Sequence, residues 1–227
     1  MKPERILALD VSTKTGWAAA DITATSIKLL DYGTLEQIHQ PDGGYPSNYV
    51  IWAHLIFTEI DRLIDKYDPL VLVIEETSKG SKNAMSQKIL EFTHFLLASY
   101  IKESAIKSVY IMTEVWRREL GCVMNDKEKA KNKEVREYKK KFEKKNGKKT
   151  TIAYDINGKR IGLTGKKHVN VRRMNEIYGD QLREPLKLVD EDQADALGLA
   201  AAYHQRRLKT NGDIKEMTIE EIVREQK

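Results

Sequence analysis

Apolar and polar positions along the chain follow two patterns, one typical of strands and one typical of helices. Short apolar runs that end in polar or turn residues predict five strands, at about 6–9, 17–20, 26–38, 70–74 and 108–112. Helical spacing and capping signals predict helices at about 47–67, 81–102, 113–120, 166–178 and from 190 onward. This order predicts an α/β fold with one mixed five-stranded sheet flanked by helices.

Several polar residues and one glycine mark the predicted ends of the helices. Ser47 or Asn48 is expected to cap the first helix through its side chain. Thr113 is expected to cap the third helix, which Gly121 then ends.

The regular pattern breaks between about 125 and 163. Residues 126–149 are almost wholly polar, with a thin apolar stripe at helical spacing. The following segment predicts a β-hairpin, because Asn157-Gly158 provides the residues that a type I′ turn requires. We therefore expect one domain at 1–206 that carries a helix and hairpin insertion. A tail at 207–227 would end in a short helix, which begins with the capping box of Thr218 and Glu221.

Basic residues are concentrated in one part of the chain. Residues 126–173 contain 18 Lys and Arg against 6 Asp and Glu, a net charge of +12, and the rest carries −7. A basic segment on an acidic body favours a polyanion partner, and the alternative is a solvated lysine-rich helix. The lone Cys122 excludes an intramolecular disulfide and a cysteine-rich zinc site. Without a signal peptide or an apolar stretch of membrane-spanning length, a soluble cytoplasmic protein is expected.

Carboxylates stand at the ends of two predicted strands and at the start of the last helix. Asp10 ends the first strand, Glu75 follows the apolar run at 70–74, and Asp192 and Asp195 lie one helical turn apart. If the first and fourth strands are neighbours, these side chains meet at one edge of the sheet. An oxygen-only cluster suits Mg²⁺ or Mn²⁺ better than Zn²⁺. Two such ions can support phosphodiester hydrolysis.

Two alternatives remain open at the level of the residues. Acidic side chains at 190–195 also complement the dipole of the helix that they begin, without any metal. The residues do not distinguish Glu75 from Glu76 as the carboxylate that joins the cluster.

Four segments in order resemble the RuvC-type Holliday-junction resolvases, or crossover junction endodeoxyribonucleases, of the ribonuclease H-like superfamily. The similarity is to diverged forms carried by phages, which would place the protein in the host cytoplasm. The segments are ILALDVSTKTGWA, VLVIEETSKGSKNAMS, VYIMTEVWRRELG and DQADALGLAAAYH, within residues 5–122 and 164–206. The resemblance implies a Mg²⁺-dependent nuclease for DNA recombination and repair, in which Mn²⁺ can substitute. It implies two ions per site and a homodimer that nicks four-way junctions or other branched DNA.

Matching the family's motifs assigns the catalytic and metal-binding carboxylates to Asp10, Glu75, Asp192 and Asp195. Glu75 is preferred over Glu76 because the family's glutamate ends the apolar run. The expected reaction is in-line hydrolysis that leaves 5′-phosphate and 3′-hydroxyl ends, with Lys167 near the scissile phosphate and Lys166 or His168 as alternatives.

Basic and polar residues near these segments are the predicted contacts to the DNA backbone, which carry no sequence information. They are Lys79, Lys82, Asn83, Lys88, Arg117, Arg118, Lys166, Lys167, His168, Arg172 and Arg173. Trp116, between them, is expected in the core.

The chain also departs from the family's pattern. The family often has an aromatic wedge three residues after its glutamate, where this chain has Ser78. The insertion is outside the usual pattern, and its hairpin with Tyr154 is the predicted replacement for gripping a junction.

Two other functions are compatible with parts of the sequence. An actin-like phosphotransferase or ATPase has a similar first hairpin but needs a glycine-rich loop after an apolar strand, and Asp42–Gly44 does not follow one. A basic DNA-binding protein without catalysis is the other alternative.

Overall fold

The computed structural model describes residues 3–36, 39, 41–76, 84–104, 106–147, 153–155 and 157–210. Its main sheet contains β1 (Glu4–Asp10), β2 (Gly16–Ile22), β3 (Ile27–Thr34), β4 (Val71–Glu76) and β5 (Lys107–Met112). The strand order is β3-β2-β1-β4-β5, in which the first two pairings are antiparallel and the last two are parallel. The predicted mixed five-stranded sheet is confirmed.

Helices cover both faces of this sheet. They are α1 (Ser47–Tyr67), α2 (Ala84–Glu103), α3 (Thr113–Glu119), α4 (Asp126–Asn146), α5 (Lys166–Tyr178) and α6 (Glu191–Lys209). Strand side chains alternate between the two faces. Ile6 and Ala8 pack in the cluster that contains α6, and Leu7 and Leu9 pack in the cluster that contains α1 and α2. The central strands are therefore apolar at successive positions because both of their faces are buried.

The alanine-rich face of α6 lies in the larger of the two core clusters. Trp116 is 0% exposed there, which confirms its predicted place in the core. A Cβ atom added to Gly198 would lie 2.5 Å from the indole ring of Trp116. The close contact between α3 and α6 therefore requires a glycine at this position.

Two predicted helix caps are wrong. Helix α1 begins at Ser47 without a side-chain cap, and Asn48 is buried. Thr113 is the first residue of α3, and its hydroxyl donates a hydrogen bond to Glu75 and accepts none from the amides of the helix. Gly121 follows the end of α3 with a positive φ of 65°, as the glycine signal predicted.

The insertion consists of α4 and a small hairpin of β6 (Ala153–Tyr154) and β7 (Arg160–Ile161). The predicted two-residue type I′ turn is wrong. The amide of Asp155 donates to the carbonyl of Lys159, and the Asp155 carboxylate accepts from the amides of Asn157 and Lys159. The turn is longer because the aspartate side chain satisfies its amides, and Gly158 supplies the positive φ.

The predicted helix that begins near Thr218 lies outside the described residues. None of the helices in the described ranges is both long and apolar enough to cross a membrane.

Candidate active site

Two neighbouring parallel strands bring the first two carboxylates together. Leu9 in β1 pairs with Ile74 in β4, so that Asp10 and Glu75, the next residues, end the two strands side by side. Both side chains are partly buried, whereas Glu76 is exposed. The alternation of side chains along β4 thus places Glu75 with Asp10 and turns Glu76 toward solvent.

The start of α6 supplies the other two carboxylates. Asp10 pairs with Gly16 across the β1–β2 hairpin, and a Cβ atom at Gly16 would lie 1.9 Å from the carbonyl oxygen of Asp192. The backbone of α6 therefore lies directly on the glycine. This contact brings Asp192 and Asp195, one turn apart on α6, to the ends of β1 and β4.

The four carboxylates act on one another electrostatically. Burial raises the pKa of Asp10 well above its ordinary value, and the negative charges of Glu75, Asp195 and Asp192 raise it further. Arg117 opposes these effects. Asp10 therefore lies at the centre of an excess of negative charge.

Asp195 is held by donors from two different helices. Arg117 Nη2 of α3 donates to Oδ2 over 2.9 Å, and Asn170 Nδ2 of α5 donates to Oδ1 over 2.8 Å. Burial raises the pKa of Asp195 to about 6, although Arg117 and the hydrogen bond from Asn170 lower it. Each carboxylate oxygen thus has a donor that fixes its direction.

Glu75 and Asp192 have partners of their own. The Thr113 hydroxyl donates to Oε1 of Glu75, and Trp116 Nε1 donates to Oε2 over 3.3 Å. Lys14 Nζ lies 3.1 Å from an oxygen of Asp192. Among the described residues, two cations, Lys14 and Arg117, therefore face four carboxylates, which leaves an excess of negative charge there.

The donor set fits a hard divalent cation, because it consists of carboxylate oxygens with uncompensated charge. Within the described part of the chain, no three acidic, histidine or cysteine side chains are already arranged around one ion position. Lys14 and Arg117 each pair with one of the aspartates of α6.

The predicted DNA contacts fall into several groups. Lys167 pairs with Glu191 next to Asp192, and Arg118 is exposed on α3. The His168 ring accepts a hydrogen bond from the backbone amide of Gly165 at the start of α5, where Lys166 is exposed. Lys79, Lys82 and Asn83, and also Ser78, lie outside the described residues.

Other predicted contacts are engaged within the protein. Arg172 binds Glu128, Glu176 and the carbonyl of Val123, and Arg173 binds Glu176 and the carbonyl of Leu120. These arginines tie α5 to the segment between α3 and α4. Lys88 lies over the ring of Tyr45, 4.3 Å from its centroid.

Sequence reasoning missed Lys14, Thr113 and Asn170 as partners of the carboxylates. Only Asn170 left a usable signal, because it interrupts the buried stripe of Val169, Val171 and Met174 on α5. A buried amide in an apolar stripe requires a polar partner. The residue pattern does not tell which partner that is.

No protein family matches the chain, and none of the curated proteins matches it. Among solved structures, it is similar to Thermus thermophilus RuvC in complex with a Holliday junction substrate, with a TM-score of 0.57 and 11% identity. The aligned part covers 92% of this chain and 97% of RuvC. The chain has the ribonuclease H-like fold of RuvC-type resolvases.

The same RuvC-type fold is present in the yeast mitochondrial Holliday junction resolvase Ydc2. Its TM-score is 0.51 at 14% identity, and the aligned part covers 92% of this chain and 82% of Ydc2. RuvC of Thermus thermophilus also matches in a second structure, with a TM-score of 0.55 at 12% identity. The structural neighbours therefore agree with the resemblance found in the sequence.

Proposed function

We propose that this chain is a metal-dependent endonuclease that cleaves four-way Holliday junctions or other branched DNA. The observation that carries the proposal is the meeting of Asp10, Glu75, Asp192 and Asp195 at one edge of a RuvC-type sheet. The basic segment at 126–173 provides the charge that a nucleic-acid partner requires.

The four carboxylates are the proposed ligands of two Mg²⁺ ions, which Mn²⁺ can replace. Asp10 has the central place, because the other three carboxylates all raise its pKa. When bound, such a pair of ions supplies an activated water and stabilises the leaving oxygen in phosphodiester hydrolysis.

The chain's own residues prepare this site in two ways. Arg117 and Asn170 fix the direction of the Asp195 carboxylate, and Thr113 and Trp116 do the same for Glu75. Lys167, beside Glu191 at the start of α6, is the proposed cation for charge that develops on the phosphate.

A homodimer would place two such sites on one junction, so that opposing strands are nicked together. This part of the proposal rests on the resemblance to the resolvases. A symmetric dimer with two equal sites matches the two-fold symmetry of a four-way junction.

The test is a nicking assay of the purified protein on a labelled immobile four-way junction, a fork, a flap and a matched linear duplex. Each substrate is incubated with Mg²⁺, Mn²⁺ or EDTA. We expect paired nicks on the junction with either metal and no nicks in EDTA. Cleavage of forks and flaps at equal rates would show a general branch nuclease, and linear duplex cut equally well would contradict the branch preference.

Two neighbouring substitutions control the assay. Glu75→Gln is expected to abolish nicking, whereas Glu76→Gln leaves it unchanged because Glu76 is exposed at the same strand end. Asp10→Asn is expected to lose nicking and to keep junction binding. Junction binding without any nicking by the unsubstituted protein would instead support a DNA-binding protein without catalysis.

A further inference from the structure

The insertion is attached to the body by the two helices that hold Asp195. We define the basic arm as residues 126–161, which contain α4 and the β6–β7 hairpin. The chain enters the arm from α3, which carries Arg117, and leaves it into α5, which carries Asn170. Both ends of the arm therefore lie beside the candidate active site.

A buried amide fixes the arm's direction. Asn132 of α4 donates to the carbonyl of Thr164 over 2.9 Å, and its Oδ1 accepts the Thr164 amide over 2.7 Å. Both residues are buried, so both hydrogen bonds are shielded from water. Glu128 at the start of α4 adds an ion pair with Arg172 of α5, over 3.0 Å. The root of the arm is thus anchored to α5.

Most acidic side chains of the arm already have a partner within the protein. Asp126 pairs with Lys129, Glu128 with Arg172, and Glu143 with Lys139. Asp155 binds the amides of its own turn. Seven exposed basic side chains of α4 have no ion pair within the described residues: Lys127, Lys131, Lys133, Arg136, Lys140, Lys144 and Lys145. Glu134 and Glu137 are exposed on the same helix, and the described side chains of the arm therefore present a net positive surface.

The arm also has the dimensions of a duplex contact. Beyond Asn132, α4 continues to Asn146, which is about 21 Å of helix. This length corresponds to about 6 base pairs of a duplex. At the distal end, the rings of Phe142 and Tyr154 lie 5.9 Å apart and fasten the hairpin to the helix. The contact between helix and hairpin thereby stabilises the half of α4 that is farther from the body, together with its lysines.

We propose that the basic arm binds the phosphate backbone of a DNA duplex that flanks the cleaved phosphate, with Lys140 and Lys144 as distal contacts. The inference rests on the proposed function for its ligand, because the active site determines which polyanion reaches the arm. Such contacts add affinity and position the duplex, and they carry no sequence information.

The experiment compares two double variants in an Asp10→Asn background with EDTA, where nothing is cut. Lys140→Gln with Lys144→Gln removes two arm charges, and Lys28→Gln with Lys209→Gln removes two exposed charges outside the arm. Binding of a labelled four-way junction is measured as a function of salt concentration. For the arm variant, we expect roughly tenfold weaker binding and a slope of log affinity against log salt that is smaller by about 2. The control variant should retain the parent's slope.

Each outcome decides one question. Equal affinities and slopes of the two double variants would overturn the role of the arm, whatever the nicking assay shows. Absence of any DNA binding by the Asp10→Asn parent would overturn it as well. A loss of junction affinity that is confined to the arm variant supports DNA binding by the arm. This conclusion would stand even if the unsubstituted protein nicked no substrate, because that result refutes only the proposed nuclease activity. Equal melting temperatures of both variants confirm that exposed glutamines leave the fold intact.

Discussion

Single donor atoms determine where the carboxylates of the candidate site point. Asp195 has Arg117 on one oxygen and Asn170 on the other, at 2.9 and 2.8 Å. A carboxylate without such donors samples several rotamers. Loss of a residue that holds a metal ligand in place therefore typically lowers metal affinity or activity.

Asn170→Ala tests this positioning. The substitution removes the donor to Oδ1 of Asp195 and leaves all four carboxylates present. We expect a nicking rate lower by roughly 10- to 100-fold and a higher Mg²⁺ concentration for half-maximal rate. Binding of the junction in EDTA should not change. Unaltered metal dependence together with an unaltered rate would show that Asn170 only fills space.

The pH dependence of stability tests the burial of Asp195. Its pKa is raised to about 6, chiefly by burial. A carboxyl with a raised folded pKa stabilises the folded state while it is protonated, so this contribution is complete below about pH 4 and lost as the pH rises through 6. In EDTA, we expect Asp195→Asn to gain on the unsubstituted protein by on the order of 2 kcal/mol of unfolding free energy between about pH 4 and 7.5.

Urea unfolding of both proteins at several pH values measures this difference. An asparagine at 195 has one acceptor oxygen for the two donors Arg117 and Asn170, so the offset between the proteins includes a lost hydrogen bond. The comparison therefore depends only on the change of the difference with pH. A difference that stays constant across the range would contradict a raised pKa of Asp195.

At the scale of elements, α6 is held close to the sheet and to α3 by two glycine contacts. The absence of a side chain at Gly16 leaves room for the backbone of Asp192, and the absence of one at Gly198 leaves room for the ring of Trp116. The same helix carries two of the candidate catalytic residues at its start. Its packing and the geometry of the site therefore depend on each other.

Gly198→Ala measures how tight this packing is. Alanine favours a helix over glycine by about 1 kcal/mol, but its Cβ would lie 2.5 Å from the buried indole of Trp116. We expect a net loss of about 1–3 kcal/mol of unfolding free energy in urea denaturation. In a double-mutant cycle with Trp116→Phe, the smaller ring should recover part of this loss. A higher free energy of unfolding for Gly198→Ala than for the unsubstituted protein would show that α3 can shift to make room for the methyl group.

At the scale of the whole molecule, the charge is divided between a basic insertion and an acidic body. The basic arm, residues 126–161, contains 14 Lys and Arg against 6 Asp and Glu, a net charge of +8, and the rest of the chain carries −3. The carboxylate cluster lies on the body, next to the roots of the arm. A polyanion is thus attracted by the arm and repelled by the body, which favours an approach from the arm's side.

The proposed dimer is tested by mixing the unsubstituted protein with Asp10→Asn on a supercoiled plasmid that extrudes a cruciform. Mixed dimers hold one competent site, so we expect nicked circles to increase at the expense of linear molecules. Each protein assayed separately is the control. A ratio of nicked to linear product that does not change on mixing would contradict two sites that act within one dimer.

The order of the elements was predictable from local patterns in the sequence. Strand-length apolar runs, helical spacing and the polar residues that end them depend on neighbours along the chain. Asp10 at a strand end and Asp192 with Asp195 one turn apart were predictable for the same reason. The missed cap at Thr113 shows the limit, because its hydroxyl binds a distant glutamate and not its own helix.

What the sequence by itself determined is the set of elements and the carboxylates at their ends, since both follow from short-range periodicity. Only the tertiary structure decided that β1 and β4 are neighbours, that Glu75 and not Glu76 faces Asp10, and that distant helices supply both donors of Asp195. These contacts join residues that are far apart in the chain. They depend on how whole elements pack, which no local pattern encodes.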